Sequence, residues 1–279
     1  LINEENGQTH TAKVPSTPED SSIGVLDGID RICRESGIDP KKINRVMHGT
    51  TVATNAVLTG KGAKVGLVTT KGYKQVLQVA RSFCPGGLGG WVSFVKKPLL
   101  APLELTIEAD ERMGANGETV DTLDEAALRN SLAVLKDTGQ VEALTICFIN
   151  AYLNGAHEQR AKEVAAEIFT DIPISISSDL VPEMQEYERT ETTVVNSYVR
   201  PQVAKYVDNL NRSLRSSMGE DLHLSILRSD GGLASARASA ESPVNLLMSG
   251  PAGGVSGAMH FCKKAGFNDI LTFDMGGTS

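Results

Sequence analysis

Apolar residues along the chain recur with two periods. Short runs such as "INRVMHGTT", "AKVGLVTT", "ALTICFIN", "IPISISS" and "LHLSILRS" read as buried strands, four of them near 43–49, 64–69, 143–149 and 172–177. "THTAKVPST" reads as a further short strand. Between these runs the period becomes helical. Ile23, Leu26, Ile29 and Ile32 share one face, Thr17 is placed to cap that helix, Pro18, Glu19 and Asp20 suit its first turn, and Gly37 ends it. A helix through "YKQVLQVA" follows the second strand. "DEAALRNSLAVLKDTG" predicts a helix with Thr122 and Glu125 as its capping box, and "HEQRAKEVAAEIF" another. Asn116-Gly117 marks a hairpin. A long helical stretch runs through "EMQEYERTETTVVNSYV" and past Pro201, which is expected to kink or split it. Alternating strands and helices predict an α/β fold with mixed sheets, and no internal repeat suggests a solenoid.

Residues 82–103 break this rhythm with four glycines, three prolines and the single tryptophan, Trp91. A loop of this length in a compact domain is expected to cover a cleft or to move. Bulk properties exclude other classes. Net charge is −7 with no basic block, which argues against nucleic acid as a partner. No apolar run reaches the ~18 residues of a membrane span, and "LINEENGQTH" lacks a signal-peptide core. Cys33, Cys84, Cys147 and Cys262 lie far apart and read as reduced thiols of a cytoplasmic protein.

The richest chemistry lies at "ILTFDMGGTS". Ile270 to Phe273 read as a buried strand ending in Asp274, and Gly276, Gly277 and Thr278 then form a turn suited to phosphate. Glycines let backbone N–H groups approach an anion, the hydroxyl donates to it, and Asp274 is placed to hold Mg²⁺ through water. Upstream, "SGPAGGVSGAMHFCKKAG" sets Gly250, Gly254 and Ala258 on one helical face with Gly253 beside them. Glycines inside a helix cost ~1 kcal/mol each, so something must come close, either another helix or a nucleotide at the helix N-terminus. The alternative is a glycine-rich turn with a helix only from Val255. His48, Gly49, Thr50 and Thr51 close a strand and offer hydroxyl and N–H donors for substrate or phosphate, with Asn55 one helical turn on; the alternative is a turn that caps the short helix. Arg81, before the long loop, suits a carboxylate or carbonyl, unless it is simply solvated. Cys84 has no base placed beside it and reads as an ordinary thiol. Glu183, Glu186, Tyr187 and Arg189 read by default as a charged surface helix, and Asp230-Gly231-Gly232 as a turn. His157 and His260 lack metal-ligand spacing.

A small-residue helix, a connector, and then Asp-x-Gly-Gly-Thr resembles the actin-like (ribonuclease H-like) ATPase superfamily. "SGPAGGVSGA" with "LTFDMGGTS", "VMHGTTVATNAVLTGKGAKVGLVTTKGYKQVLQVAR", "YERTETTVVNSYVRP" and "LRSDGGLAS" is similar to the hydantoinase A/5-oxoprolinase family. The resemblance implies a chain in two parts: 1–180 as an N-terminal hydantoinase-type domain, and 181–279 as a helical linker with the start of a second actin-like domain. It implies ATP and Mg²⁺, a cyclic amide such as a hydantoin or 5-oxoproline opened through carbonyl phosphorylation, and a hydantoinase B type subunit or domain as partner. A ketone carboxylase subunit is the alternative within the family, and a non-catalytic actin-like module the alternative outside it; a homo-oligomer stays open. Family members carry a first Asp-x-Gly-Gly-Thr hairpin upstream and continue downstream, so the chain is expected to be a piece of a longer protein and inactive by itself.

Overall fold

The computed structural model describes all residues except 16, 18–20, 82–86, 91–95 and 276–279, with the side chains of 87 and 88 also left aside. The chain forms two compact units, one of residues 1–54 and 203–277, the other of residues 55–202. The sequence-based division at residue 180 follows chain order, whereas the contacts return to residues 1–54 after residue 202.

The unit of residues 55–202 is built on a four-stranded parallel sheet in the order Thr106–Ala109, Val65–Thr70, Ala143–Cys147, Ile174–Ile176. Val65–Thr70 is buried at every position, as its apolar run and central place require. Leu144, Ile146 and Phe148 pack into one core with Leu128, Leu132 and Val164 from helices Glu125–Asp137 and Ala156–Ile168. On alternate positions Thr145 meets the long helix, its Oγ1 2.7 Å from Ser197 Oγ. The hairpin predicted at Asn116-Gly117 joins Arg112–Met113 to Thr119–Asp121, with Gly117 in the left-handed region at φ 82°.

The other unit holds a three-stranded sheet. Arg45–His48 pairs in parallel with His223–Leu227, which pairs antiparallel with Leu233–Ser235. Arg45–His48 thus pairs outside the four-stranded sheet that holds the other early strands. Helix Ser21–Ser36 forms here as its apolar spacing predicts. Thr17 Oγ1 accepts from Gly24 N at 3.0 Å; the expected roles of Pro18, Glu19 and Asp20 lie outside the described residues. Gly37 follows at φ 72°, the conformation that lets glycine end a helix.

Four local expectations are corrected. The helix Glu186–Met218 is not split at Pro201 but runs continuously through it, because packing of its apolar face outweighs one lost backbone bond. The cap of Glu125–Asp137 is Asp124, which accepts from Ala127 N at 2.9 Å, and not Thr122. "THTAKVPST" supplies only an isolated bridge, Thr9 to Ile2. Residues 270–273 form no strand: Leu271 is 97% and Phe273 82% exposed, with no strand edge among the described residues to pair them.

Candidate active site

His48 ends the strand Arg45–His48 and Gly49, Thr50 and Thr51 follow it directly, so the turn stands at a strand's carboxyl end. The small-residue segment is helical throughout, Ser249–Lys264, which decides against a helix starting only at Val255. The structure brings these two features together within one unit. Ser249 Oγ donates to Thr50 O at 3.0 Å, and Met248 N donates to Thr54 Oγ1 at 3.0 Å. A Cβ on Gly250 would stand 2.9 Å from Thr51 Cγ2, and one on Gly253 2.7 Å from Leu227 Cδ2. Gly250 and Gly253 are therefore small because the turn and the neighbouring strand press against the helix. A Cβ on Gly254 would meet nothing within 4 Å, so that glycine is not explained by packing.

The helix start carries no side-chain cap. Its N-cap, Met248, sits at φ 63°, a left-handed conformation costly outside glycine, and makes no side-chain capping bond. Pro251 brings no N–H, so few first-turn donors need a partner. His48 stands beside this turn. Its Nε2 lies 2.8 Å from Tyr206 Oη, and burial pulls its pKa down to about 4, so the ring is neutral at pH 7 and offers a hydrogen bond without charge.

Asp274 makes no hydrogen bond or ion pair among the described residues and lies in an exposed irregular segment. Gly276, Gly277 and Thr278 lie outside the described residues. Of the phosphate-binding candidates, the described residues are thus the helix start, Gly254 and the His48–Thr51 turn. Asn55 and Arg81 belong to the other unit.

In that unit Arg81 borders a cleft of about 380 Å³, together with Leu77, Leu100, Lys97, Tyr187 and Glu191. Lys96 Nζ donates to Gln78 O and Val79 O at 2.6 and 3.0 Å and ties the end of the long loop to helix Val76–Val79, the short outcome of "YKQVLQVA". Trp91 and Cys84 lie outside the described residues. Arg81 Nε donates to Glu188 Oε1 at 2.6 Å in a solvent-exposed pair. Ala80, just before it, is held at φ 51°. Burial pushes the Glu191 carboxyl above its ordinary range, against the hydrogen bond from Tyr187.

Other buried polar groups went unrecognised in the sequence. Arg189, read as a surface residue, is 1% exposed: its Nη2 donates to Phe148 O at 2.7 Å and its guanidinium lies over the Tyr152 ring. Glu158 is fully buried and accepts from Phe148 N, Ser177 Oγ and Ser178 N at 2.6–2.7 Å; burial raises its pKa. Glu111 bonds Thr70 Oγ1 and His157 Nδ1, the latter at 2.8 Å. Only the fold reveals these groups, since their partners are distant in sequence. Cys147 is no nucleophile: burial pushes its thiol up to about 11.

The model of the hydantoinase/oxoprolinase N-terminal region matches residues 1–169, and that of hydantoinase/oxoprolinase residues 189–279. This chain belongs to the hydantoinase/oxoprolinase family. It is 33% identical to an uncharacterized protein of Methanocaldococcus jannaschii and 30% identical to caprolactamase subunit alpha of Pseudomonas jessenii, in each case over 100% of this chain and 40% of the relative. It is 28% identical to the acetophenone carboxylase gamma subunit of Aromatoleum aromaticum over 98% of this chain and 39% of that subunit. The crystal structure of the ATP-dependent caprolactamase from Pseudomonas jessenii matches with a TM-score of 0.84 at 29% identity, over 99% of this chain and 40% of that one. The chain thus spans about two fifths of the length of these relatives, and its α/β architecture is the actin-like fold expected from the sequence.

Proposed function

We propose that the protein to which this chain belongs is an ATP-dependent hydrolase of cyclic amides. The observation that carries this reading is the end-to-end match, in sequence and in structure, to an ATP-dependent caprolactamase. An amide carbonyl resists water because of its resonance. ATP, when bound, would supply a phosphoryl group to the carbonyl oxygen, which opens the carbonyl carbon to water; the C–N bond then breaks with the nitrogen leaving as the amine, and a second water releases the phosphate from the new carboxyl group. The chain's residues position and neutralise charge, as in other phosphoryl transfers. The first-turn N–H groups of Ser249 and Gly250 and the turn His48–Thr51 receive phosphate oxygens. Gly254 leaves room for the nucleotide against the helix, with Gly253 and Gly250 setting the helix position. Asp274 would hold Mg²⁺, and Gly276, Gly277 and Thr278 would donate to phosphate. Arg81 and Asn55 orient the amide. The relatives named as alpha and gamma subunits favour a second subunit, of the hydantoinase B type, as partner.

The likeness to an acetophenone carboxylase subunit favours a second reading, ATP-dependent carboxylation of a ketone on the same phosphate machinery. Incubating the full-length protein and its partner with ATP and either cyclic amides or ketones with bicarbonate separates the two. The first reading predicts ring opening with phosphate release and no fixed bicarbonate.

A further inference from the structure

The unit of residues 55–202 carries a second cleft, of about 500 Å³, lined by Thr70, Lys71, Asp110, Glu111, Arg112, Asp121 and Thr122. Its position in the fold is informative. From Val65–Thr70 the chain moves to Thr106–Ala109 on one side of the sheet. From Ala143–Cys147 it moves to Ile174–Ile176 on the other. The connections from the two central strands therefore leave in opposite directions at their carboxyl ends, where parallel α/β sheets place ligands. Thr70 stands at that point and accepts from Ile149 N at 3.0 Å. Behind it, Glu111 is 4% exposed and joined to Thr70 and to His157. The floor of the cleft is thus fixed by bonds internal to the protein.

Its rim is not so satisfied. Lys71 is paired with Asp110. Arg112 and Asp121 are opposite each other in the antiparallel ladder Arg112–Met113 with Thr119–Asp121. Yet the guanidinium of Arg112 leans over the Tyr73 ring, 5.3 Å from its centre, with Nη2 3.5 Å from Tyr73 Oη. Among the described residues neither Arg112 nor Asp121 enters an ion pair. Opposite charges thus share the rim of one cleft with no ion pair between them among the described residues.

We infer that this cleft binds a small zwitterionic amino acid, its carboxylate on Arg112 and its ammonium on Asp121. A planar guanidinium backed by an aromatic ring suits a carboxylate held by two hydrogen bonds. A ligand with a single charge would leave one of the two rim groups without a partner. Opening a cyclic amide yields an amine and a carboxylate on one molecule, so the product of the proposed reaction has this chemistry. That link alone rests on the proposed function; the charge pattern does not.

The test is calorimetric titration of the full-length protein with its partner subunit, without ATP, using 6-aminohexanoate and glutamate as probes and hexanoate and hexylamine as singly charged controls. Saturable binding of at least one amino acid is expected, with both controls at least ten-fold weaker. Arg112→Gln and Asp121→Asn should each weaken the amino acid ten-fold or more, with melting temperatures showing that both variants fold. If neither variant folds, Arg112→Lys and Asp121→Glu, which keep the charges but move them, take their place, with a ten-fold loss of amino-acid binding expected and unchanged binding overturning the inference. Absence of amino-acid binding, equal binding of the controls, or folded variants that bind unchanged would overturn the inference. No turnover is read, so failure of the amidase reading leaves this result standing.

Discussion

At the residue scale, burial sets the chemistry of His48. Its folded pKa of about 4 lies below the ordinary 6.5. As pH falls below 6.5 the unfolded chain takes up a proton that the folded chain refuses, so stability is complete above 6.5 and is lost progressively toward pH 4. The full shift corresponds to ~3 kcal/mol at 1.36 kcal/mol per unit, and partial exposure of the ring reduces it to about 2 kcal/mol. Urea denaturation between pH 7 and 4 should show this loss, and His48→Gln should flatten it. Two glycines make a second comparison. A Cβ on Gly62 would fall 2.1 Å from Tyr198 Cε1, and the backbone carbonyl of Tyr198 accepts from Ala63 N at 2.8 Å. Gly62→Ala should cost ~1–3 kcal/mol through overpacking. Gly254→Ala meets open space inside a helix and should stabilise by ~0.5–1 kcal/mol, while weakening ATP binding by the full-length protein. Thermal melts with and without ATP check both halves.

At the element scale, the strands and most helices were legible because each is written in local pattern. The all-buried run Val65–Thr70 and the Asn116-Gly117 hairpin needed no tertiary information. What was not legible depends on partners distant in the chain. Arg189 reads as a surface charge until Phe148 and Tyr152 fold over it, and Glu111 until His157 and Thr70 meet it. At the candidate site, the sequence pointed separately to the His48–Thr51 turn and the glycines of Ser249–Lys264; only the parallel pairing of Arg45–His48 with His223–Leu227 explains why they meet. The cap of Glu125–Asp137 shows a competition between local signals. Asp124 wins because its carboxylate reaches Ala127 N, while its own N–H donates to Asp110 O at 2.9 Å. Asp124→Ala should cost about 1 kcal/mol and Thr122→Ala less than about 0.5 kcal/mol, measured by denaturant midpoints.

At the scale of the whole molecule, the helix start with the His48–Thr51 turn belongs to one unit and the cleft at Arg81 to the other. Asp274→Ala in the full-length protein should abolish Mg-ATP turnover and leave the melting temperature unchanged, because this exposed side chain makes no bond among the described residues. The most direct test follows released phosphate and ring-opened product together, with the full-length protein, its partner subunit, ATP and a panel of caprolactam, hydantoin and 5-oxoproline. The account predicts that one cyclic amide is opened with phosphate released in step, and that omitting ATP stops both. Ring opening that proceeds without ATP would contradict it, as would no opening of any cyclic amide beside ATP-driven carboxylation of a ketone.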